Sequence, residues 1–190
     1  KIVLEKAFYY AKSGRPGPVW IDIPLDIQGA PIDDPKLLKR WKEIPSQNNY
    51  NINNKTIDNI FNLISKARRP IFIAGHGIRI SGSEKIFKKV IEKFGIPTVM
   101  TWNAMDLLPY DHNLNIGRPG VVALRAPNFA VQNSDLLISV GSSLDNIITA
   151  FNPRKFARCA KKIIVDIDKN QIDKLDMEIE IPINCDAKYF

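Results

Sequence analysis

The sequence predicts an α/β fold built on a doubly wound parallel sheet. Short apolar runs recur along the chain: "PIFIAG" (70–75), "IPTVM" (96–100), "DLLISVG" (135–141), "KKIIVDID" (161–168) and a weaker "IEIPINCD" (179–186). Segments with apolar residues at helical spacing separate them. The runs are nearly all apolar instead of alternating, so both faces of each strand must be covered, as in a parallel sheet with helices on either side.

Each element follows from its residues. In "IVLEKAFYYAK" (2–12) apolar residues fall at 3, 4, 7, 8 and 11, a helical pattern that Ser13-Gly14 ends. "RPGP" then leads into an expected strand at 19–23, stopped by Pro24. Nothing before it can supply the rest of a sheet, and one helix with one strand is not a domain. Residues 29–55 contain three prolines, many Asn and Gln and almost no periodicity. They read as a linker, with a short helix at 35–42. A helix is expected from Thr56 to just before Arg69-Pro70, another over 82–94, another over 121–132 despite Pro127, and a short one over 169–175. The predicted organisation is thus a helix–strand remnant of a preceding α/β domain (1–28), a linker (29–55) and one domain (56–190).

Composition narrows the function classes. The chain has 190 residues, 45% of them hydrophobic, enough to bury a core. No apolar run approaches the length of a membrane span, and no leader is visible at Lys1 to Glu5. The first residue is not Met, so a processed or excised piece of a longer chain is expected. Cys159 and Cys185 lie far apart with no metal-ligand spacing, which suits a reduced, cytoplasmic protein. The net charge is +7, but the cations are spread over helix faces (Lys85, Lys88, Lys89, Lys93) and turns. No arginine-rich or aromatic-interleaved stripe marks a nucleic-acid surface.

Ligands of such sheets sit beyond the carboxyl ends of the strands. There the sequence places "GHG" (Gly75, His76, Gly77), then Thr101, Trp102 and Asn103, then Gly141, Ser142 and Ser143, then Asp166, Ile167 and Asp168. Small residues let a backbone approach phosphates, hydroxyls donate to phosphate or ribose, and an acid accepts from ribose or an adenine amine. Each also has a plain structural use: Asp166 as a helix cap, Gly141 as a turn, Trp102 as a half-buried packing residue. On successive strands of one sheet they point together to a nucleotide. "GHG" is short of the full dinucleotide fingerprint. His112, Asp106 and Asp111 read as loop or capping residues, and Arg118 and Arg125 can serve a phosphate or carboxylate. No catalytic constellation and no metal-ligand cluster appears, so no catalytic or metal residue is assigned.

"GRPGPVWIDIPLDIQ" resembles the end of the pyrimidine-binding domain of thiamine-diphosphate-dependent enzymes of the acetolactate synthase type. "RPIFIAGHGIRISG", "GIPTVMTWNAMDLLPYDHNLNIGRPG", "NSDLLISVGSSLDN" and "KKIIVDIDKNQIDKL" resemble, in order, their central domain. The resemblance implies a Rossmann-like (DHS-like) nucleotide-binding fold within a three-domain subunit that assembles as dimers or tetramers. Thiamine diphosphate and magnesium bind in the other two domains and act on a 2-keto acid such as pyruvate, with decarboxylation and carboligation. The family's catalytic glutamate lies upstream of Lys1 and its Gly-Asp-Gly to Asn motif beyond Phe190, so the present chain is expected to be inactive by itself. The central domain holds FAD in acetolactate synthases, ADP in other relatives and nothing in others. The positions carried over are those named above together with Asp186. One departs from the pattern: two residues past the glycine of the third run, acetolactate synthases carry an arginine that helps hold the flavin, and here Ser143 stands there. A charge-assisted bond of that kind is worth about 1.5–3 kcal/mol.

Two other readings stand beside this one: a purely structural, subunit-contact domain with an empty site, and a free-standing nucleotide-binding protein. The orphan helix and strand argue against the second. Residues 1–28 are expected to pack opportunistically or to be trimmed readily by protease.

Overall fold

In a computed structural model of the protein, residues 1–32, 39–42 and 50–190 are described. They form two compact units, Lys1–Asn49 and Tyr50–Phe190.

In the first unit, helix α1 (Ile2–Lys12) ends where the Ser13 N–H donates to the Tyr9 carbonyl, and it buries none of its residues. Tyr9 meets Trp41 edge to face with ring centroids 4.8 Å apart, and the Trp41 N–H donates to Glu5 Oε2 at 2.6 Å. The strand expected at 19–23 is not formed: these residues pair with no strand, and Trp20 is 93% exposed. A single extended segment has no ladder to join, and Pro16, Pro18 and Pro24 remove three donors from it and its flanks. A one-turn helix, α2 (Leu25–Gln28), follows directly. The helix expected at 35–42 falls largely outside the described residues, and 39–42 carry no regular structure.

The second unit carries the sheet. Helix α3 (Asn54–Lys66) starts slightly before the expected Thr56, because Asn53 caps it by accepting from the Thr56 N–H at 2.8 Å. Then come β1 (Pro70–Ala74), α4 (Gly77–Ile80), α5 (Glu84–Phe94) and β2 (Thr98–Met100). Gly95, at φ +62°, ends α5 in the left-handed conformation. A short strand β3 (Asn115–Gly117) precedes α6 (Arg125–Gln132), β4 (Leu136–Val140), α7 (Asn146–Thr149), β5 (Lys161–Asp166), α8 (Lys169–Asp173) and β6 (Ile181–Asn184). Helix α6 begins at Arg125, after four further residues that are not helical. Pro127 is tolerated because the third helical position has no intrahelical acceptor for an N–H.

All strand pairs are parallel, in the order β3-β2-β1-β4-β5-β6. The doubly wound fold is therefore as predicted, with one strand more than the sequence indicated. The order reverses between β1 and β4, where Phe72 is in register with Ile138 and Ala74 with Val140. The strands' period of two splits the core into two layers. Phe72, Ala74, Ile138, Val140, Ile163 and Val165 pack on one face with Ile60, Phe87 and Ile91. Ile71, Ile73, Leu137 and Ile164 pack on the other with Val131, Ile148 and Ile172. Two covered faces are why the runs read as continuously apolar. Edge strand β6 alternates buried and exposed residues, and Pro182 occupies one of its exposed positions. Among the described residues no helix is long and apolar enough to cross a membrane.

Candidate functional site

The reversal of strand order leaves a cleft beyond the carboxyl ends of β1 and β4, the position such sheets use for ligands. A cavity of about 310 Å³ lies there, lined by His76, Thr101, Trp102, Asn103, Gly141, Ser142 and Ser143, with Asp145, Ile147 and Ile148 on the α7 side.

The floor is backbone packed on backbone. Gly75 N–H donates to the Val140 carbonyl at 2.9 Å, and Gly77 N–H to the Gly141 carbonyl at 3.0 Å. A Cβ on Gly75 would sit 2.0 Å from Gly141 O, and one on Gly77 2.7 Å from Gly141 Cα. The three glycines therefore serve first to let the loops after β1 and β4 touch each other. The close approach of the two loops gives the short "GHG" signal a structural use that needs no ligand's phosphate.

The walls are fixed in turn. His76 Nδ1 lies 2.7 Å from the Asn103 carbonyl, tying the loop after β1 to the turn after β2. Thr101 N–H donates to the Ala74 carbonyl at 3.0 Å. Arg79 and Asp106 form a second tie between the same segments, at 2.8 Å. Trp102 is 44% exposed, so part of its ring faces the solvent side. On the opposite wall Asp145 caps α7, its Oδ1 accepting from Ile147 N–H at 3.0 Å and Ile148 N–H at 3.1 Å. Leu144 carries a positive φ of 44°, which turns the chain sharply from Ser142 into that cap. Asp145, Ile147 and Ile148 carried no signal in the sequence, because their place in the wall follows from this turn.

Not every expected residue reaches the cleft. Asp166 is 6% exposed, and its Oδ1 accepts from the Asp168 N–H at 2.9 Å. Asp168 in turn caps α8 by accepting from Asn170 N–H at 3.0 Å. Asn184 Nδ2 donates to the Asp166 and Ile167 carbonyls, and Asp186 accepts from Lys188 N–H at 2.8 Å. Asp166, Ile167, Asp168 and Asp186 lie at the loop ends of β5 and β6, and they, like Gly75 and Gly77 beneath His76, are not among the residues that line the cavity.

Chemically, the cleft offers hydroxyls, an amide, an imidazole, an indole face and one carboxylate already engaged as a cap. None of its lining residues is Lys or Arg. That set suits the uncharged part of a nucleotide better than its phosphates. The volume is at the small end for ligand sites, closer to a nucleoside than to a dinucleotide.

Comparison with known proteins adds a family. Residues 57–190 match the family model described as thiamine pyrophosphate enzyme, central domain. The chain is 34% identical to the acetolactate synthase large subunit of Lactococcus lactis subsp. lactis, over 98% of this chain and 32% of that protein. It is 35% identical to the large subunit of Corynebacterium glutamicum, over 97% of this chain and 29% of that protein. It is 34% identical to the isozyme 1 large subunit of Escherichia coli, over 91% of this chain and 30% of that protein. The chain thus spans about a third of the length of the curated relatives it matches.

Proposed function

The chain belongs to the family of thiamine pyrophosphate enzyme central domains, and from that premise we propose that residues 56–190 hold an adenine nucleotide at the β1/β4 cleft within an acetolactate synthase-like enzyme. The observation that carries this reading is the convergence of His76, Thr101, Trp102, Asn103, Gly141, Ser142 and Ser143 on one cavity at the reversal of strand order. In this reading the Trp102 ring stacks on the base. The Thr101, Ser142 and Ser143 hydroxyls and the Asn103 amide bind ribose and base edges, and His76 faces the phosphates.

The cavity volume of about 310 Å³ favours ADP over the larger FAD. Ser143, standing where the resemblance expects a flavin-holding arginine, argues the same way. Calorimetric titration with each compound, on the protein and on an Ile147→Trp variant, tests this. Ile147 is an exposed lining residue, so a larger side chain fills the cleft without touching the sheet. Saturable heat with ADP that falls at least tenfold in the variant supports the reading. Silence with both compounds leaves the unit a structural, subunit-contact domain.

The activity proposed for the longer parent is decarboxylation of a 2-keto acid followed by carboligation, in a dimer or tetramer. Thiamine diphosphate, bound with magnesium, supplies the electron sink for that chemistry. Among the described residues no group of three or more His, Cys, Asp or Glu is placed to hold a metal ion, so no residue here is assigned to magnesium or the diphosphate. Residues 1–28 are read as the end of the preceding domain and 29–55 as the linker. That α1 buries none of its residues and that Trp20 stands exposed in an unpaired segment support that reading.

A further inference from the structure

A second cavity, of about 430 Å³, opens at the carboxyl ends of β2 and β3 and shares no lining residue with the first. Met100, Met105, Tyr110, Ile116 and Leu124 line it, and Arg118 is its one cation.

Arg118 stands on a pinned loop. The Gly117 N–H donates to Asn115 Oδ1 at 2.9 Å. Gly120 is held at both ends by Asn128, its N–H donating to Oδ1 at 2.8 Å and its carbonyl accepting from Nδ2 at 2.9 Å. Val121 N–H donates to the Ile147 carbonyl at 3.0 Å. Pro119 is buried, and Gly117 and Gly120 have φ of +108° and +129°. The arginine is therefore carried on a backbone that has little freedom to move.

Its guanidinium meets a poor partner. Arg118 Nη1 donates to Met105 Sδ at 3.2 Å, and a thioether is a weak acceptor that balances no charge. Arg79 and Arg154, by contrast, each pair with a carboxylate at 2.8 Å. Among the described residues no carboxylate pairs with Arg118. A guanidinium fork matches a planar monoanion, and with a single cation at the cavity the match is to one carboxylate. The methionines offer adaptable apolar surface behind it.

We propose that this cavity binds an aliphatic monocarboxylate, with the carboxylate on Arg118 and the chain against Met100 and Met105. The proposal is independent of the nucleotide reading, since the two cavities have no residue in common.

The three methionines of the chain make the test direct. With ¹³C-methyl methionine, hexanoate is expected to shift the Met100 and Met105 resonances saturably and to leave Met177, which packs on the other core layer, unmoved. Arg118→Gln is expected to weaken binding at least tenfold with an unchanged circular dichroism spectrum, and Arg118→Lys to weaken it less. The neutral isostere hexanamide is expected to bind at least tenfold more weakly, and inorganic phosphate to leave both resonances in place. The proposal is overturned by unmoved Met100 and Met105 signals, by equal binding of hexanamide, by equal shifts with phosphate, or by full affinity in Arg118→Gln.

Discussion

A Cβ added to Gly75 would lie 2.0 Å from the carbonyl oxygen of Gly141, inside any allowed contact and against backbone that cannot turn aside. The two loops that floor the cleft touch there because neither carries a side chain. Gly75→Ala must push β1 and β4 apart at the point where strand order reverses. The expected loss is about 3 kcal/mol, at the upper end for overpacking. Gly95→Ala meets open space and pays only for its left-handed backbone, about 1–2 kcal/mol. Urea unfolding of the two variants should rank them in that order.

At the other end of the same strands, Asp135 joins β4 to β1. Its Oδ2 accepts from Arg68 N–H and its Oδ1 from Arg69 N–H, both at 2.9 Å. Burial alone would raise its pKa, but these N–H groups and the Arg69 charge outweigh it and hold the carboxyl below its ordinary 3.8. Asp135→Ala is expected to cost about 1.5–3 kcal/mol, the worth of a hydrogen bond to a charged group. Because the folded pKa is the lower one, this stability is fully present above 3.8 and disappears as the pH falls through the folded value. Denaturation curves of the two proteins should converge there.

Lys162 lies on the opposite account. It is 5% exposed, and its Nζ donates to the Ala160 carbonyl at 3.2 Å. Burial pushes its pKa below 10.5, against the opposing pull of Glu178 and Cys159. The charged form is therefore less well accommodated in the folded protein. Lys162→Met is expected to stabilise by about 1–3 kcal/mol at neutral pH. The gain should shrink as pH rises from the lowered folded value through 10.5, where both states lose the proton. Unfolding measured across that range reads it.

The N-terminal unit gives a further prediction. Helix α1 buries none of its residues, and Val19, Trp20, Ile23, Leu25 and Ile27 are exposed. Limited proteolysis should cut within residues 13–32 well before it cuts within 56–190. Protection of the N-terminal segment equal to that of the sheet would contradict its reading as the end of another domain.

Much of this was legible because parallel strands announce themselves. "PIFIAG" and "DLLISVG" are apolar throughout, and β1 and β4 sit at the sheet centre with both faces covered. Strand β3 was not legible: Asn115, Ile116 and Gly117 make no apolar run, and the strand exists through its pairing with β2. The segment 19–23 failed for the converse reason, an apolar run for which the described residues supply no partner strand. Residues after β1, β2 and β4 meet at one cleft because those strands are neighbours in the sheet. Asp166 and Asp168 are held in capping and turn bonds after β5, and a sequence shows a capping acid and a ligand-binding acid alike.

The central claim is that the β1/β4 cleft holds an adenine nucleotide, and the two histidines of the chain allow it to be read directly. His76 lines the cleft, whereas His112 lies apart, against Glu92 at 3.4 Å and the Leu114 N–H at 3.2 Å. Titration with ADP, followed by the proton resonances of the two imidazole rings, is expected to shift His76 saturably and leave His112 in place. A His76 signal that stays fixed up to millimolar ADP, or one that moves only together with His112, would contradict the claim.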